Sequence, residues 1–183
     1  VFTNTPPTRA DINLGSITMI DEVGNPLSGR ALLTNQHESN PNIAGKIALS
    51  ATLFGIAVSS GDLLNGGDIA IDSKGRTTID GSITTSAFPG FTPVIGNGGD
   101  IVILSKEEIE LLPGSSIAAE GLVGGNITLS SDESITLNSS LIFSNGEAID
   151  AAGLEPGIVN IEAQNLRLLN GSAIATNTFG TID

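Results

Sequence analysis

The chain has 183 residues, of which 39% are hydrophobic, with six Phe and neither Trp nor Tyr. Its 7 Lys and Arg against 20 Asp and Glu give a formal net charge of −13, which argues against a nucleic-acid partner, because phosphate binding needs a basic surface. The absence of Cys excludes disulfides, zinc–thiolate sites and thiol nucleophiles, and no apolar run is long enough to predict a membrane-spanning helix.

Residues 1–41 contain no clear repeat. The first ten residues, VFTNTPPTRA, have neither the basic region nor the apolar stretch of a signal peptide. We expect any signal peptide to have been removed or to lie outside this sequence. Residues 1–41 are therefore interpreted as an N-terminal segment or an early irregular coil, and residues 42–183 as β-helix repeats from a longer rod.

From residue 42 onward one short motif recurs, in which a Gly-containing turn precedes an alternating apolar pair. The units begin 22 to 32 residues apart, an irregular period typical of solenoid proteins. An earlier candidate, Ile12 in ADINL, lies 35 residues before the first unit. The residues that open the units are Ile47 in GKIAL, Ile69 in GDIAI, Ile101 in GDIVI, Ile127 in GNITL, Val159 in GIVNI and Ile182 in GTID.

Three short strands are predicted within each unit. In one unit, Ile127 and Leu129 alternate with polar residues, which indicates a strand rather than a helix. A second alternating pair follows, then a turn signal at Asn138–Ser139 and a third strand that opens at Leu141 or Ile142. Equivalent positions in the other units are the pairs Thr77 and Ile79, Ile109 and Leu111, Leu166 and Leu168, the turns Asp80–Gly81, Pro113–Gly114 and Asn170–Gly171, and the third-strand residues Ile83, Ile117 and Ile174.

Three strands, two fixed corners and one variable corner per unit predict an all-β fold, a right-handed parallel β-helix of about six coils. Coils stacked about 4.8 Å apart would form a rod about 30 Å long. The equivalent residues Ile69, Ile101, Ile127 and Val159 are predicted to form one internal stack, because no coil can bury its apolar face alone. An antiparallel sandwich or barrel is the alternative, but it does not explain why the motifs recur in one order.

The stretch GNGGDIVILSKEEIELLPGSSIAAEGLVGGNITLSSDESITLNSSLI resembles the β-helical repeats of filamentous-haemagglutinin-like exoproteins, cyanobacterial members above all. These are the secreted partners of two-partner secretion systems. The resemblance covers about residues 42–183 and implies export through an outer-membrane barrel transporter, so that the protein would be secreted or displayed on a bacterial cell surface. It also implies a structural or adhesive role, as an adhesin or extracellular filament with a cell-surface or glycan receptor.

The segment SNPNIAG, Ser39–Gly45, is similar to the NPN-type motifs by which the transporter recognises members of that family. Such a motif would lie before the regular repeats, as it does here. The other interpretation is a loop with turn chemistry before the first clear coil.

A catalytic role is not expected, although pectin-active lyases and hydrolases are the nearest enzymes by fold. Hydrolysis of an acidic sugar would need several Asp on adjacent coils together with His and basic residues. The single His37 precedes the regular repeats, and Lys74 and Arg76 are best interpreted as a solvated corner. No catalytic residue is assigned, and a carbohydrate-active β-helix enzyme of the pectin-lyase type is the alternative to the structural function.

Asp68 and Asp100 precede the first strands of two successive units and are candidates for a calcium site. Stacking would place their carboxylates about 5 Å apart, and a bound cation would relieve the repulsion between them. Lys46 is predicted to occupy the same register before them, where it offsets their charge, with Asn126 and Ile158 after them. The preferred interpretation is that the carboxylates accept turn N–H groups. No cofactor is therefore expected, and a calcium-stabilised binding module is a further alternative.

Two surface features are candidates for interaction. Glu108 and Glu110 flank Ile109, which predicts an acidic outer face over an inward Ile. Phe88 and Phe91 lie in a variable loop of a chain poor in aromatics, where they either cover an edge of the core or bind a partner. The ends of a β-helix carry unpaired N–H and C=O groups, so end-to-end self-association is also expected, away from the acidic sides.

Overall fold

The computed structural model of the chain describes residues 12–14, 31–34, 47–49, 53–54, 67–85, 96–148 and 155–180. All regular secondary structure in these residues is β-strand, and every strand pair is parallel. Strands that follow one another in the chain belong to different sheets, so each strand pairs only with strands of other coils. Antiparallel sandwiches and barrels, which pair successive strands, are thereby excluded for this part of the chain.

Three parallel sheets form the sides of the molecule. The first sheet contains β2 (Ala31–Thr34), β5 (Ile69–Ser73), β8 (Ile101–Ser105), β11 (Ile127–Ser131) and β14 (Val159–Glu162). The second sheet contains β1 (Ile12–Leu14), β3 (Ile47–Leu49), β6 (Thr77–Ile79), β9 (Ile109–Leu111), β12 (Ser134–Asn138) and β15 (Asn165–Leu169). The third sheet contains β4 (Leu53–Phe54), β7 (Ser82–Thr84), β10 (Ser116–Gly121), β13 (Leu141–Ala148) and β16 (Ala173–Gly180).

The chain visits the first, second and third sheets in turn and then returns to the first, which makes one coil of a parallel β-helix. The described strands form five three-strand coils, from β2–β3–β4 to β14–β15–β16, and β1 adds one strand of a preceding coil. The predicted parallel β-helix with three short strands per coil is therefore confirmed. Since β1 and β2 lie before residue 42 and pair with later strands, these sheets do not stop at the predicted boundary between residues 41 and 42.

The core is a set of vertical stacks of Ile and Leu inside the coils. In the first sheet Ile69 pairs with Ile101, Ile101 with Ile127, and Ile127 with Val159, as predicted. The three Ile side chains are fully buried, and each such burial stabilises the fold by about 1.5–3 kcal/mol. Val159 is only partly buried, because its coil is the last of the described series.

The second and third sheets contribute their own stacks. Ile109, Ile135 and Leu166 share one register in the second sheet. The alternation predicted from period two holds in the buried strands except β10, where Ile117, Ala118 and Ala119 are all buried. In the third sheet the inward residue of β13 is Ile142, whereas Leu141 points outward and is exposed. The sequence predicted that the third strand of this coil opens at Leu141 or Ile142, and the strand register shows that Ile142 is the residue that points inward.

The predicted registration of Ile47 with Ile69 is wrong. Ile47 belongs to the second sheet and pairs with Thr77, while Ile69 pairs with Ala31 in the first sheet. The predicted equivalence of Ile12 and Ile47 is confirmed, since the two residues pair with each other, although they do so in the second sheet. The motif GKIAL is similar in sequence to GDIAI, so the two cannot be told apart locally. The pairing across coils shows that the first strand of this coil is ALLT at residues 31–34.

The corner between the second and third sheets uses the turn residues predicted for it. Positive backbone φ angles occur there at Gly114 (85°), Ser139 (45°) and Asn170 (52°), and Gly171 has a φ of 79°. This left-handed region is accessible to Gly without strain and is tolerated by Asn better than by most residues. The turn signals in the sequence therefore mark a fixed corner that recurs in each of these coils.

Replacing Ile101 with Lys should lower the free energy of unfolding by about 3–5 kcal/mol, because a charge would lie unpaired in the central stack. The matched variant Leu104→Lys lies on the same strand, where the side chain points outward and is 40% exposed. It should change stability by only about 0.5 kcal/mol. Urea denaturation followed by circular dichroism measures both, and equal losses would mean that the inward face is misassigned.

Candidate functional site

Asp68, Asp100 and Asn126 form a ladder along the corner that precedes the first sheet. The backbone N–H of Asp100 donates to Asp68 Oδ1 at 3.1 Å, and the N–H of Asn126 donates to Asp100 Oδ1 at 2.8 Å. The N–H of Ile158 donates to Asn126 Oδ1 at 3.0 Å. Each side chain thus accepts the N–H of the equivalent residue one coil further on. The stacking of the two Asp residues and their role as N–H acceptors are confirmed, but the donors belong to the next coil rather than to the local turn.

Asp68 and Asp100 are also the candidate calcium ligands. Ca²⁺ takes six to eight oxygen ligands, whereas within the described ranges no three His, Cys, Asp or Glu side chains come together to hold a metal ion. Lys46 lies outside the described residues, so its predicted offset of the Asp68 charge stays a prediction; the next residue, Ile47, pairs with Thr77 in another sheet. Backbone N–H groups, whose dipoles favour a nearby negative charge, donate to both carboxylates.

A second polar ladder lies at the corner after the first sheet and was not predicted. Ser73, Ser105 and Ser131 are buried at the last position of their strands. Ser105 Oγ donates to the carbonyl of Gly75 at 2.5 Å, and Ser131 Oγ donates to the carbonyl of Glu107 at 2.6 Å. These hydroxyls satisfy turn carbonyls of the preceding coil. The sequence feature that could have predicted this ladder is the Ser at the fifth position of each of the strands IAIDS, IVILS and ITLSS.

The recurring Gly residues before the first sheet are explained by close contact between coils. A Cβ on Gly125 would overlap the carbonyl of Gly99, and one on Gly157 would overlap the carbonyl of Gly125. Ser144 also approaches this corner, since its Oγ donates to the Gly125 carbonyl at 2.7 Å and accepts the Gly157 N–H at 3.0 Å. Gly is therefore needed here for space, where the variable loop returns to the first sheet.

The acidic pair Glu108 and Glu110 points outward and Ile109 points inward, as predicted. The negative charge of these two residues is partly offset, because the Arg76 guanidinium lies 3.0 Å from Glu108 Oε2 and 3.8 Å from Glu110 Oε2. Thr136 Oγ1 donates to Glu108 Oε1 at 2.9 Å. Arg76 thus belongs to an ion-pair network that crosses coils rather than to a solvated corner alone.

Lys74 and Lys106 make further ion pairs at the corner after the first sheet. Lys74 Nζ lies 3.0 Å from Asp72 Oδ1, and Lys106 Nζ lies 2.8 Å from Asp132 Oδ2. The hydrogen bond to Asp132 and the charge of that carboxylate raise the pKa of Lys106. Exposed pairs of this kind stabilise little in water, so their effect is mainly to offset the acidic charge locally.

An open groove of about 380 Å³ runs along the outside of the first sheet, across β8, β11 and β14. It presents carboxylate, amide and hydroxyl groups together with two apolar side chains, which is a surface able to hydrogen-bond an extended polar ligand. The residues that line it are Asp100, Val102, Asn126, Thr128, Ile158 and Asn160.

The partner-binding candidates Phe88 and Phe91 lie outside the described residues, as do His37 and the segment Ser39–Gly45. Their predicted roles stay predictions. In the portion of the chain that the structure covers, no helix is long and apolar enough to cross a membrane.

Comparison of the chain with family models, with curated proteins and with solved structures finds no match. The evidence for the parallel β-helix is therefore the strand pairing described above. The likeness to filamentous-haemagglutinin-like exoproteins rests on the repeat motifs.

Replacing Gly125 with Ala should destabilise the protein by about 3 kcal/mol or more, because backbone atoms of the neighbouring coil occupy the space of the new methyl group. Gly114→Ala is the matched control, since nothing lies near its Cβ position and only the positive φ opposes substitution. Its cost should be about 1 kcal/mol. Thermal unfolding compares the two, and a smaller loss for Gly125→Ala would contradict the close approach of the coils.

Asp100→Asn should leave stability within about 0.5 kcal/mol of the unsubstituted chain, because an amide oxygen can accept the same N–H, as Asn126 does one coil on. Asp100→Ala removes the acceptor and should cost about 1 kcal/mol. Millimolar calcium should shift the melting temperature of neither the parent chain nor Asp100→Asn. A calcium-dependent rise that Asp100→Asn abolishes would instead identify a cation site.

Proposed function

We propose that the chain is a structural and adhesive segment of a secreted or surface-displayed bacterial exoprotein, an adhesin or extracellular filament that reaches the surface through an outer-membrane barrel transporter. The observation that carries the proposal is the uninterrupted stacking of coils, in which Ile69, Ile101, Ile127 and Val159 succeed one another without a break. Such a solenoid extends in one direction and keeps its lateral surfaces at a fixed spacing.

Several side-chain ladders parallel to the rod axis support a role that needs stiffness. Besides the Asp68–Asn126 and Ser73–Ser131 ladders, Asn145 Nδ2 donates to Glu120 Oε1 at 3.0 Å on the third sheet. Asn177 Nδ2 donates to Asn145 Oδ1 at 3.4 Å on the following coil. Backbone ladders, apolar stacks and polar ladders all resist separation of adjacent coils, which is what a load-transmitting rod requires.

The outward residues support contact with an extended partner. Val102, Thr128 and Asn160 share one register on the outside of the first sheet, so their side chains repeat about every 4.8 Å along the rod. A row of small polar and apolar groups at a constant spacing suits several weak contacts with a long polar molecule, such as a surface glycan. A cell-surface or glycan receptor is accordingly the partner class that we propose.

Export is the property that tests this proposal most directly. Cells that also produce an outer-membrane barrel transporter of a two-partner secretion system should release or display the chain, as measured by antibody labelling of intact cells. Replacing Asn40 and Asn42 with Ala should abolish export, because the predicted recognition motif at Ser39–Gly45 is removed. Asn160→Ala, an exposed Asn of the rod itself, serves as the control and should be exported normally. Export that does not depend on the transporter would contradict the proposal.

The same purified material addresses the alternative of a carbohydrate-active enzyme. Incubated with polygalacturonate or alginate, with and without calcium, the chain should release neither unsaturated products nor reducing ends. Products that increase with protein dose would contradict a purely structural function and support a catalytic one. Asp68 and Asp100 would then be the first residues to substitute.

A further inference from the structure

The groove on the outside of the first sheet lies mainly on coils that have a neighbouring coil on either side. β8 pairs with β5 and β11, and β11 pairs with β8 and β14. Of the groove residues on these two coils, Asp100 and Asn126 are exposed, and Val102 and Thr128 are half-buried. This part of the groove is therefore a lateral surface of the rod that is open to solvent.

The groove combines one carboxylate with uncharged polar groups that keep hydrogen-bonding capacity. Asp100 Oδ1 accepts the N–H of Asn126 at 2.8 Å, and the described residues supply no hydrogen bond to Asp100 Oδ2. Asn126 Oδ1 accepts the N–H of Ile158 at 3.0 Å, which leaves the Nδ2 group of Asn126 as a donor. Thr128 and Asn160 add a hydroxyl and a second amide. The groove thus presents one anionic acceptor among neutral donors and acceptors.

None of the basic side chains in the described residues lines the groove. Lys74 and Lys106 form ion pairs at the corner after the first sheet, Arg76 is paired with Glu108, and Arg167 lies on β15 in the second sheet. The whole chain has a net charge of −13, which attracts cations and repels polyanions. Charge complementarity therefore favours an occupant that carries positive charge.

The strand pairing favours a glycan over a peptide as the cationic occupant. An extended peptide commonly binds a sheet by adding a strand to an open edge. The groove instead lies on the face of the sheet, and the edges of β8 and β11 are already paired. A ligand there is bound through side chains, and the hydroxyls of a sugar both donate and accept hydrogen bonds, as the side chains of Asn and Thr do.

We propose that the groove binds an extended glycan of hexosamine units with free amino groups, in which a protonated amine lies against Asp100 Oδ2. Hydroxyls of the glycan hydrogen-bond Asn126, Thr128 and Asn160, and Val102 packs against the nonpolar face of a sugar ring. The glycan lies along the rod, since the lining residues succeed one another from β8 to β14 in that direction. This inference rests on the proposed function, of which it specifies the receptor class.

The test compares two sugars of equal length, a glucosamine hexasaccharide and an N-acetylglucosamine hexasaccharide, by isothermal titration calorimetry with the purified chain. A mildly acidic buffer of low ionic strength keeps the glucosamine amines protonated and limits screening of charges. The glucosamine hexasaccharide should bind about fivefold more tightly than its acetylated counterpart, because acetylation removes the positive charge.

Asp100→Asn should raise the dissociation constant for the glucosamine hexasaccharide about fivefold, while the new amide still accepts the N–H of Asn126. Asp80→Asn is the matched control, since it changes the net charge by the same amount at an exposed residue between β6 and β7. It should leave the dissociation constant unchanged. Circular dichroism and melting temperatures verify that both variants fold. Equal weakening by the two substitutions would show that overall charge governs binding and would overturn the proposal.

Three further outcomes would also contradict the inference. A hexalysine peptide that binds as tightly, with the same dependence on Asp100, would assign the groove to a cationic peptide. Equal affinity for the two hexasaccharides would remove the preference for amines and leave a neutral glycan receptor, and so the proposed function, intact. If neither hexasaccharide binds, the inference fails, whereas export and surface display are measured separately on cells.

Discussion

Every coil of this protein has to place its inward side chains directly over those of the coil before it, because a single coil has no interior of its own. The backbone hydrogen bonds between parallel strands fix that register, and the Ile stack through Ile69, Ile101 and Ile127 then buries each coil against two neighbours. The corners must follow the same register. This is why Gly recurs before the first sheet, where the carbonyl of Gly99 leaves no space for a Cβ on Gly125.

The same register gives polar groups their partners. A corner interrupts the strand ladders and leaves N–H and C=O groups that need hydrogen bonds. Asp100 and Asn126 accept N–H groups from the next coil, and Ser105 and Ser131 donate to carbonyls of the previous one. Two acidic residues of the repeats, Asp68 and Asp100, thereby accept hydrogen bonds from backbone N–H groups. A third, Glu108, forms an ion pair with a basic side chain on another coil.

The stacking of coils also sets the character of the lateral surfaces of the rod. The sides are acidic, partly neutralised by ion pairs that cross coils, and carry rows of outward groups at constant spacing. Such rows suit the extended polar partner that we propose.

The strand type, the inward face of most strands in the regular repeats and the turn at the second corner could be predicted from the sequence, because alternation of apolar residues and the backbone preferences of Gly and Asn act over a few residues. It also placed Asp68 and Asp100 in one register, since the motifs around Ile69 and Ile101 are nearly identical. The tertiary structure decided what depends on pairing across roughly a whole coil. GKIAL at Ile47 looks like a first strand but pairs in the second sheet, and Ile142 rather than Leu141 enters the core. The Asp and Ser ladders and the Arg76–Glu108 pair join residues far apart in the chain, and only the stacking of coils brings such residues together.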